Sequence, residues 1–357
     1  MKEFDGKILA KGSTVYRKLP CNLQPEDAFY FEHEYQKNLP PCEVFVFHDA
    51  YFTEDGVNYN SSLNLIEKSV VDPEWLPKFG WRYVLANYFK KRKFELTDNN
   101  YYLNVVDLWS SGYAHWILDA LPRLYASREL HKQCYLLLPE SHNRKYILET
   151  LQVFDFKAIK FFPANHYAKV KNLILVTHAA PQGQLNEELS RGLRQYVWEY
   201  CDKTQKPNLN LGEKIYISRE KAPKRHILNE TAVQALVASY GFKIICFEDY
   251  NMFEQIAIMR HARVVVTLHG AGVSNMIFMP ENAHYLEIRR KLDTNNNHFF
   301  SLASAININY WYQLAPFKAS PKADGKNFDL SIGNYYDVEV DIPLLQKNIA
   351  AMLEKLG

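Results

Sequence analysis

The chain has 357 residues, which at about 150 per domain allows two domains. Its 47% hydrophobic content, with 24 Tyr, 21 Phe and 6 Trp, excludes a generally disordered polypeptide. Forty-two basic against 40 acidic residues leave a formal charge of +2, which excludes nucleic-acid binding by bulk charge; a large anionic ligand needs a local site. Five scattered cysteines (Cys21, Cys42, Cys134, Cys201, Cys246) lack the short spacing of a zinc or redox pair and read as reduced thiols. Residues 1–7 hold no apolar run of signal-peptide type, and the longest aliphatic runs are strand-sized, so the expectation is a cytoplasmic protein without a bilayer span.

In chain order, residues 43–47, 135–138 and 172–176 predict strands, and the segments 113–121 and 146–154 predict helices. The polar stretch 202–210 reads as a linker. Beyond it, strands are predicted at 214–218, 242–247, 263–268 and 284–288. Between them come a helix from Glu230 to Tyr240, with Asn229 as N-cap and Gly241 as stop, and one from Met252 to Arg260. Near-continuous β-branched runs such as Val264-Val265-Val266 fit strands buried on both faces, so the fold class is α/β with a mostly parallel sheet. Residues 313–330 read as loop. The last segment, 342–356, is an amphipathic helix with Leu345, Ile349, Leu353 and Leu356 on one face.

Two stretches carry chemistry. His269-Gly270-Ala271-Gly272 directly follows a buried strand and opens a short helix. Glycines there let backbone approach a ligand, and helix N–H groups suit phosphate. Arg219, Lys221, Lys224 and Arg225 follow another strand at what a parallel sheet makes the same rim, so the two loops together suit a diphosphate. Glu287, ending the next strand, can accept from a sugar hydroxyl or be a surface carboxylate. In the first half, His115 and Asp119 stand four apart on a predicted helix, with Arg123 at the next repeat, past Pro122. The pair can deprotonate a hydroxyl, or Asp119 and Arg123 can pair at the surface beside a partly buried His115. Lys90-Lys91-Arg92-Lys93, between Phe89 and Phe94, is either a solvated basic turn or a contact to an anionic membrane. No Asp-x-Asp diphosphate–metal motif occurs in a strand–loop setting, and no Gly-x-Gly-x-x-Gly fingerprint marks a dehydrogenase.

These motifs, in order, resemble glycosyltransferase family 61. They are Tyr113-Ala114-His115-Trp116-Ile117-Leu118-Asp119 before Pro122-Arg123, Tyr216-Ile217-Ser218-Arg219 with Arg225-His226-Ile227-Leu228-Asn229-Glu230, and Gly241-Phe242. His269-Gly270-Ala271-Gly272-Val273-Ser274-Asn275 through Pro280 is the most specific, and Tyr285-Leu286-Glu287-Ile288 with Phe300-Ser301-Leu302-Ala303 completes them. The resemblance implies the GT-B arrangement of two Rossmann-like domains facing across a cleft. The first would span residues 1–180, joined by the returning terminal helix 342–356, and the nucleotide-sugar domain would span 205–325. It implies inverting transfer from a nucleotide sugar, a UDP-sugar above all, without a cofactor or bound metal, to a glycan or lipid-linked glycan. That places the chain in capsular or other surface-polysaccharide synthesis, with peripheral contact at the inner membrane face. Carried over, Arg219, Lys224, Arg225, His269, Gly270, Ala271 and Gly272 hold the donor diphosphate, Asn275 and Glu287 lie near the donor, and Asp119 and His115 are the candidates for the base. The competing expectation is a non-catalytic nucleotide- or glycan-binding protein with a degenerate site.

Overall fold

The computed structural model describes residues 2–180, 183–204, 206–207, 209–319 and 336–356. They form two units, Met1–Val15 with Lys37–Tyr200, and Tyr16–Gln36 with Cys201–Gly357.

The first unit is built on a mixed eight-stranded sheet. Its strands are β1 (Ile8–Ala10), β2 (Cys42–Phe52), β3 (Asn58–Tyr59), β4 (Arg92–Leu96), β5 (Tyr101–Asn104), β6 (Cys134–Pro139), β7 (Ala158–Phe162) and β8 (His166–Val176). The order is β1-β2-β8-β5-β6-β7, with β3 on β2 and β4 on β8. β2 and β8 pair antiparallel over most of their length, whereas β8-β5, β5-β6 and β6-β7 are parallel. Leu136, Leu137 and Leu138 are all fully buried, as a strand covered on both faces requires.

The second unit holds a wholly parallel five-stranded sheet of β9 (Lys214–Ile217), β10 (Lys243–Ile245), β11 (Val264–Leu268), β12 (His284–Arg290) and β13 (Asn309–Ala315). The order β10-β9-β11-β12-β13 reverses direction between β9 and β11, because the chain adds β10 on one side of β9 and then crosses to the other. In open α/β sheets, such a reversal opens a crevice beyond the carboxyl ends of the two strands. Arg219 follows β9 and His269 follows β11, so the topology brings the two predicted loops to that crevice. Every residue of β11 is buried.

Several expectations change. The terminal helix, Ile342–Glu354, belongs to the second unit. Its buried residues Leu345, Ile349 and Met352 share one core with Tyr216, Val264, Leu286 and Trp311 of the second. Its start is fixed by Asp341, whose side chain accepts from Leu344 N at 2.9 Å. Residues 16–36 also belong to the second unit, where Cys21 N donates to Tyr310 O at 2.7 Å and Tyr312 N donates to Asn22 Oδ1 at 3.1 Å. The predicted loop at 313–330 begins as strand, in β13 and Phe317–Ala319, and residues 320–335 lie outside the described residues. In the predicted linker, residues 202 and 203 end the helix Glu187–Lys203, and residues 205 and 208 lie outside the described residues. Asn229 holds the N-cap position, but its amide pairs with the backbone of Val340, donating at 2.8 Å and accepting at 2.9 Å, so it ties the helix Glu230–Ser239 to the segment before the terminal helix.

Candidate functional site

At the crevice of the second unit, Arg219 is anchored by its own loop. Nε donates to Arg225 O at 3.1 Å and Nη2 to Lys224 O at 2.8 Å. Nη1 then lies over Gly270, where a Cβ would sit 2.1 Å from it. Gly270 is extended at φ 176°, so any residue fits the backbone; the guanidinium is what demands glycine. At Gly272 an added Cβ would stand 3.3 Å from the Phe247 ring. Arg225 is buried and held left-handed at φ 63°, a conformation that costs about 1–3 kcal/mol for a non-glycine residue and persists only where its surroundings enforce it. The enforcing contacts come from the C-terminal segment: His226 N donates to Asp337 Oδ1 at 2.8 Å, and Val338 N to His226 O at 2.9 Å.

The electrostatics of this loop favour an anion. Burial, then the Arg225 charge, pushes Arg219 down to about 10, and burial with both arginines lowers Lys224. No carboxylate pairs with Arg219 or Arg225 among the described residues. Arg225 Nε and the buried hydroxyls of Tyr285 and Tyr336 find no hydrogen-bond partner among the described residues. Buried polar groups are rarely left this way, and an anionic oxygen would satisfy the arginine. Lys221 is not part of the cluster, because it pairs with Asp249 at 2.6 Å on the exposed side of the loop.

His269 is positioned from behind. Its Nδ1 bonds Glu287 Oε1, and the Tyr310 hydroxyl donates to Glu287 Oε2. Burial alone would raise the Glu287 carboxyl, but the His269 charge and hydrogen bond, with Arg289 and Tyr310, hold it below the usual range. It is therefore an acceptor, Nδ1 carries the hydrogen, and Nε2 remains for a ligand. Glu287 is 0% exposed with both oxygens engaged, so the expected contact to a sugar hydroxyl gives way to orienting His269. Asn275 is also fully buried. It donates to Gln255 Oε1 at 2.7 Å and fastens the Ala271–Phe278 turn to the helix Met252–His261. Ala271 and Gly272 are half-buried at the start of that turn.

In the first unit, the segment Tyr113–Ala126 is helical throughout, with residues 116–120 wound as a wider π turn. Such turns recur at functional sites. Across it, His115 Nδ1 meets Asp119 Oδ2 at 2.8 Å, and the imidazole stacks on Trp109 at 5.7 Å. Burial lowers the His115 pKa, but the hydrogen bond and charge of Asp119, with Asp107, outweigh it and raise the net value. Pro122 does not end the helix, since it occupies the first turn of the segment Leu121–Ala126. Arg123 is buried instead of forming a surface pair with Asp119. Nη2 donates to Asp107 Oδ2 at 2.7 Å, and Nε to the Asp119 carbonyl at 3.0 Å. Asp107 also accepts from Trp109 N at 2.9 Å and meets His178 Nε2 at 3.3 Å. Asp107, Trp109, His178 and Tyr310 were missed from sequence. The available signal for Asp107 was an acidic residue just past the apolar run Tyr101–Val106. Among the described residues no group of three or more His, Cys, Asp or Glu side chains is arranged to hold a metal ion.

Residues 113–286 match the family model described as Glycosyltransferase 61. The matched segment contains both His115–Asp119 and the residues Arg219, Arg225 and His269. The chain is similar to the EGF domain-specific O-linked N-acetylglucosamine transferase of Xenopus laevis, at 26% identity over 219 residues, 57% of this chain and 40% of the relative. The protein of that name from Mus musculus is 24% identical over 206 residues, 53% of this chain and 38% of the relative. In Drosophila melanogaster the figures are 26% over 117 residues, 32% and 22%. The chain thus spans two fifths or less of the length of these relatives.

Proposed function

We propose that the protein transfers a sugar from a nucleotide-sugar donor to a glycan acceptor. The observation that carries this reading is the half-buried Arg219 beside the buried Arg225 at the β9/β11 reversal, with no carboxylate partner among the described residues and with His269 held Nδ1–H by Glu287. In this reading the acceptor hydroxyl attacks the anomeric carbon from the face opposite the diphosphate, inverting its configuration. His115 Nε2 takes the proton, with Asp119 fixing the tautomer. The bond from the anomeric carbon to the diphosphate breaks, and the charge that grows on the leaving group is met by Arg219, Arg225, Lys224 and the N–H groups opening the turn at Ala271. These cations take the part that a bound metal plays elsewhere.

The same reading gives the two units the GT-B roles of donor and acceptor sides, and the chain a part in surface-polysaccharide assembly. A UDP-sugar is the proposed donor, and the names of the relatives make N-acetylglucosamine the first sugar to test. The test is release of free nucleotide from a panel of nucleotide sugars in EDTA, with and without glycan acceptors. Donor-specific release that chelation leaves intact is expected. No release from any donor contradicts transfer, and release abolished by EDTA contradicts the metal-free mechanism.

A further inference from the structure

Residues 75–94 carry six basic residues (Lys78, Arg82, Lys90, Lys91, Arg92, Lys93) and no Asp or Glu. Half of this stretch is the helix Trp81–Lys90, with only Lys91 between it and β4. One face of the helix is spoken for. Tyr83 and Val84 pack on Val57, Tyr59, Val70 and Phe79, and the buried Asn87 donates to Tyr83 O at 3.0 Å. The other face is open: Trp81 is 68% exposed, Leu85 41% and Phe89 76%. Spaced i, i+4 and i+8, these three form a single stripe along the helix. Of the six cations, Lys91 is paired with Glu54 at 2.6 Å and Lys93 with Glu95 at 2.7 Å. Lys78, Arg82, Lys90 and Arg92 form no ion pair among the described residues.

We infer that this helix is a membrane-surface anchor, lying in the plane of an anionic bilayer with Trp81, Leu85 and Phe89 inserted among the lipids. An exposed apolar stripe beside an unneutralised run of cations matches that surface on both counts. The apolar side chains leave water, and Lys78, Arg82, Lys90 and Arg92 meet lipid phosphates and anionic headgroups. Trp and Phe suit the interface between headgroup and acyl chain. The charge run alone would leave the stripe unexplained, and the stripe alone would suit any apolar partner; together they select anionic lipid. No helix among the described residues is long and apolar enough to cross a membrane, so the contact is in-plane.

The test is co-sedimentation of the full chain with vesicles of phosphatidylcholine alone or mixed with phosphatidylglycerol. Binding is expected on the mixed vesicles only, weakening as salt is raised. Trp81→Glu/Phe89→Glu and Lys90→Glu/Arg92→Glu should each weaken it roughly tenfold or more, while melting temperature and circular dichroism stay near those of the parent, since all four side chains are exposed. Equal binding to both vesicle types overturns the inference, as does unchanged binding of either double variant. Absence of vesicle binding with concentration-dependent dimers that Trp81→Glu/Phe89→Glu abolishes overturns it in favour of self-association.

Discussion

The Gly270 hydrogen atom occupies space that an Ala methyl would contest with the Arg219 guanidinium, 2.1 Å away. Because Arg219 is held by two loop carbonyls, Gly270→Ala should displace the guanidinium and leave the strand in place. The expected result is nucleotide affinity roughly ten- to hundredfold weaker, the range for losing a hydrogen bond to a charged group, with little change in melting temperature. Unchanged affinity in calorimetric titration would show that Arg219 does not contact the diphosphate. At His115 the sign follows from the opposing influences. Burial lowers its pKa, and Asp119 with Asp107 raises it above 6.5. If the neutral imidazole is the base, kcat/KM rises with pH through an inflection above the ordinary imidazole range. In Asp119→Asn burial is left less opposed, so the His115 ring titration should move down, and transfer should be lost while nucleotide affinity stays. A His115 ring-proton titration unmoved by the substitution, or near-normal turnover, would assign the base elsewhere. The residue types at these positions were legible as motifs. Their roles were legible only in part, because Glu287 and Asn275 look like ligands in a motif and become supports once buried.

At the scale of elements, periodicity served where a segment's own pattern decides its state. The run Val264–Leu268 is strand and Glu230–Ser239 is helix because β-branched continuity and i, i+3, i+4, i+7 spacing are local properties. β4 was hidden, since Arg92-Lys93-Phe94-Glu95-Leu96 has little strand character of its own and is fixed by parallel pairing with His166–Val170. The amphipathic face of the terminal helix was equally plain, but which core it fills is a long-range fact that no local pattern carries. That placement makes a prediction. Leu345→Ala or Ile349→Ala opens a cavity in the core of the second unit and should cost about 2–5 kcal/mol. The effect should show as early hydrogen exchange in β11 and β12, with β6 and β8 unchanged. Loss of protection in β6 and β8 alone would contradict the assignment of this helix.

For the whole molecule, acid should act on both units, through lowered carboxyls such as Glu287 in the second and through buried histidines and Asp107 in the first. Burial pushes His131 down to about 3 and His142 to about 4, so both stay neutral in the fold while an unfolded imidazole takes a proton near 6.5. The stability they confer is complete above pH 6.5 and is lost as pH falls toward 4. Asp107 acts in the same sense. Burial would raise its pKa, but His178 and Arg123 outweigh burial and hold it low, so protonating it on acidification opposes the fold. His115 has the opposite sign, its contribution fading as pH rises through its raised pKa, and it is more exposed. The melting temperature should therefore drop from pH 6.5 to 4, and less steeply in His142→Gln; identical slopes would remove His142 from the account. The overall class was legible because a parallel α/β unit with a Gly-bearing turn leaves a strong trace in sequence. The assignment of Tyr16–Gln36 to the second unit was not, since it rests on hydrogen bonds nearly 290 residues apart. The central claim is that Arg219 and Arg225 form a diphosphate site without metal. Calorimetric titration of UDP in EDTA into the parent and Arg225→Ala tests it most directly. Saturable binding to the parent and roughly ten- to hundredfold weaker binding to the variant are expected. Equal affinities, or no binding of any nucleoside diphosphate to the parent, would contradict it.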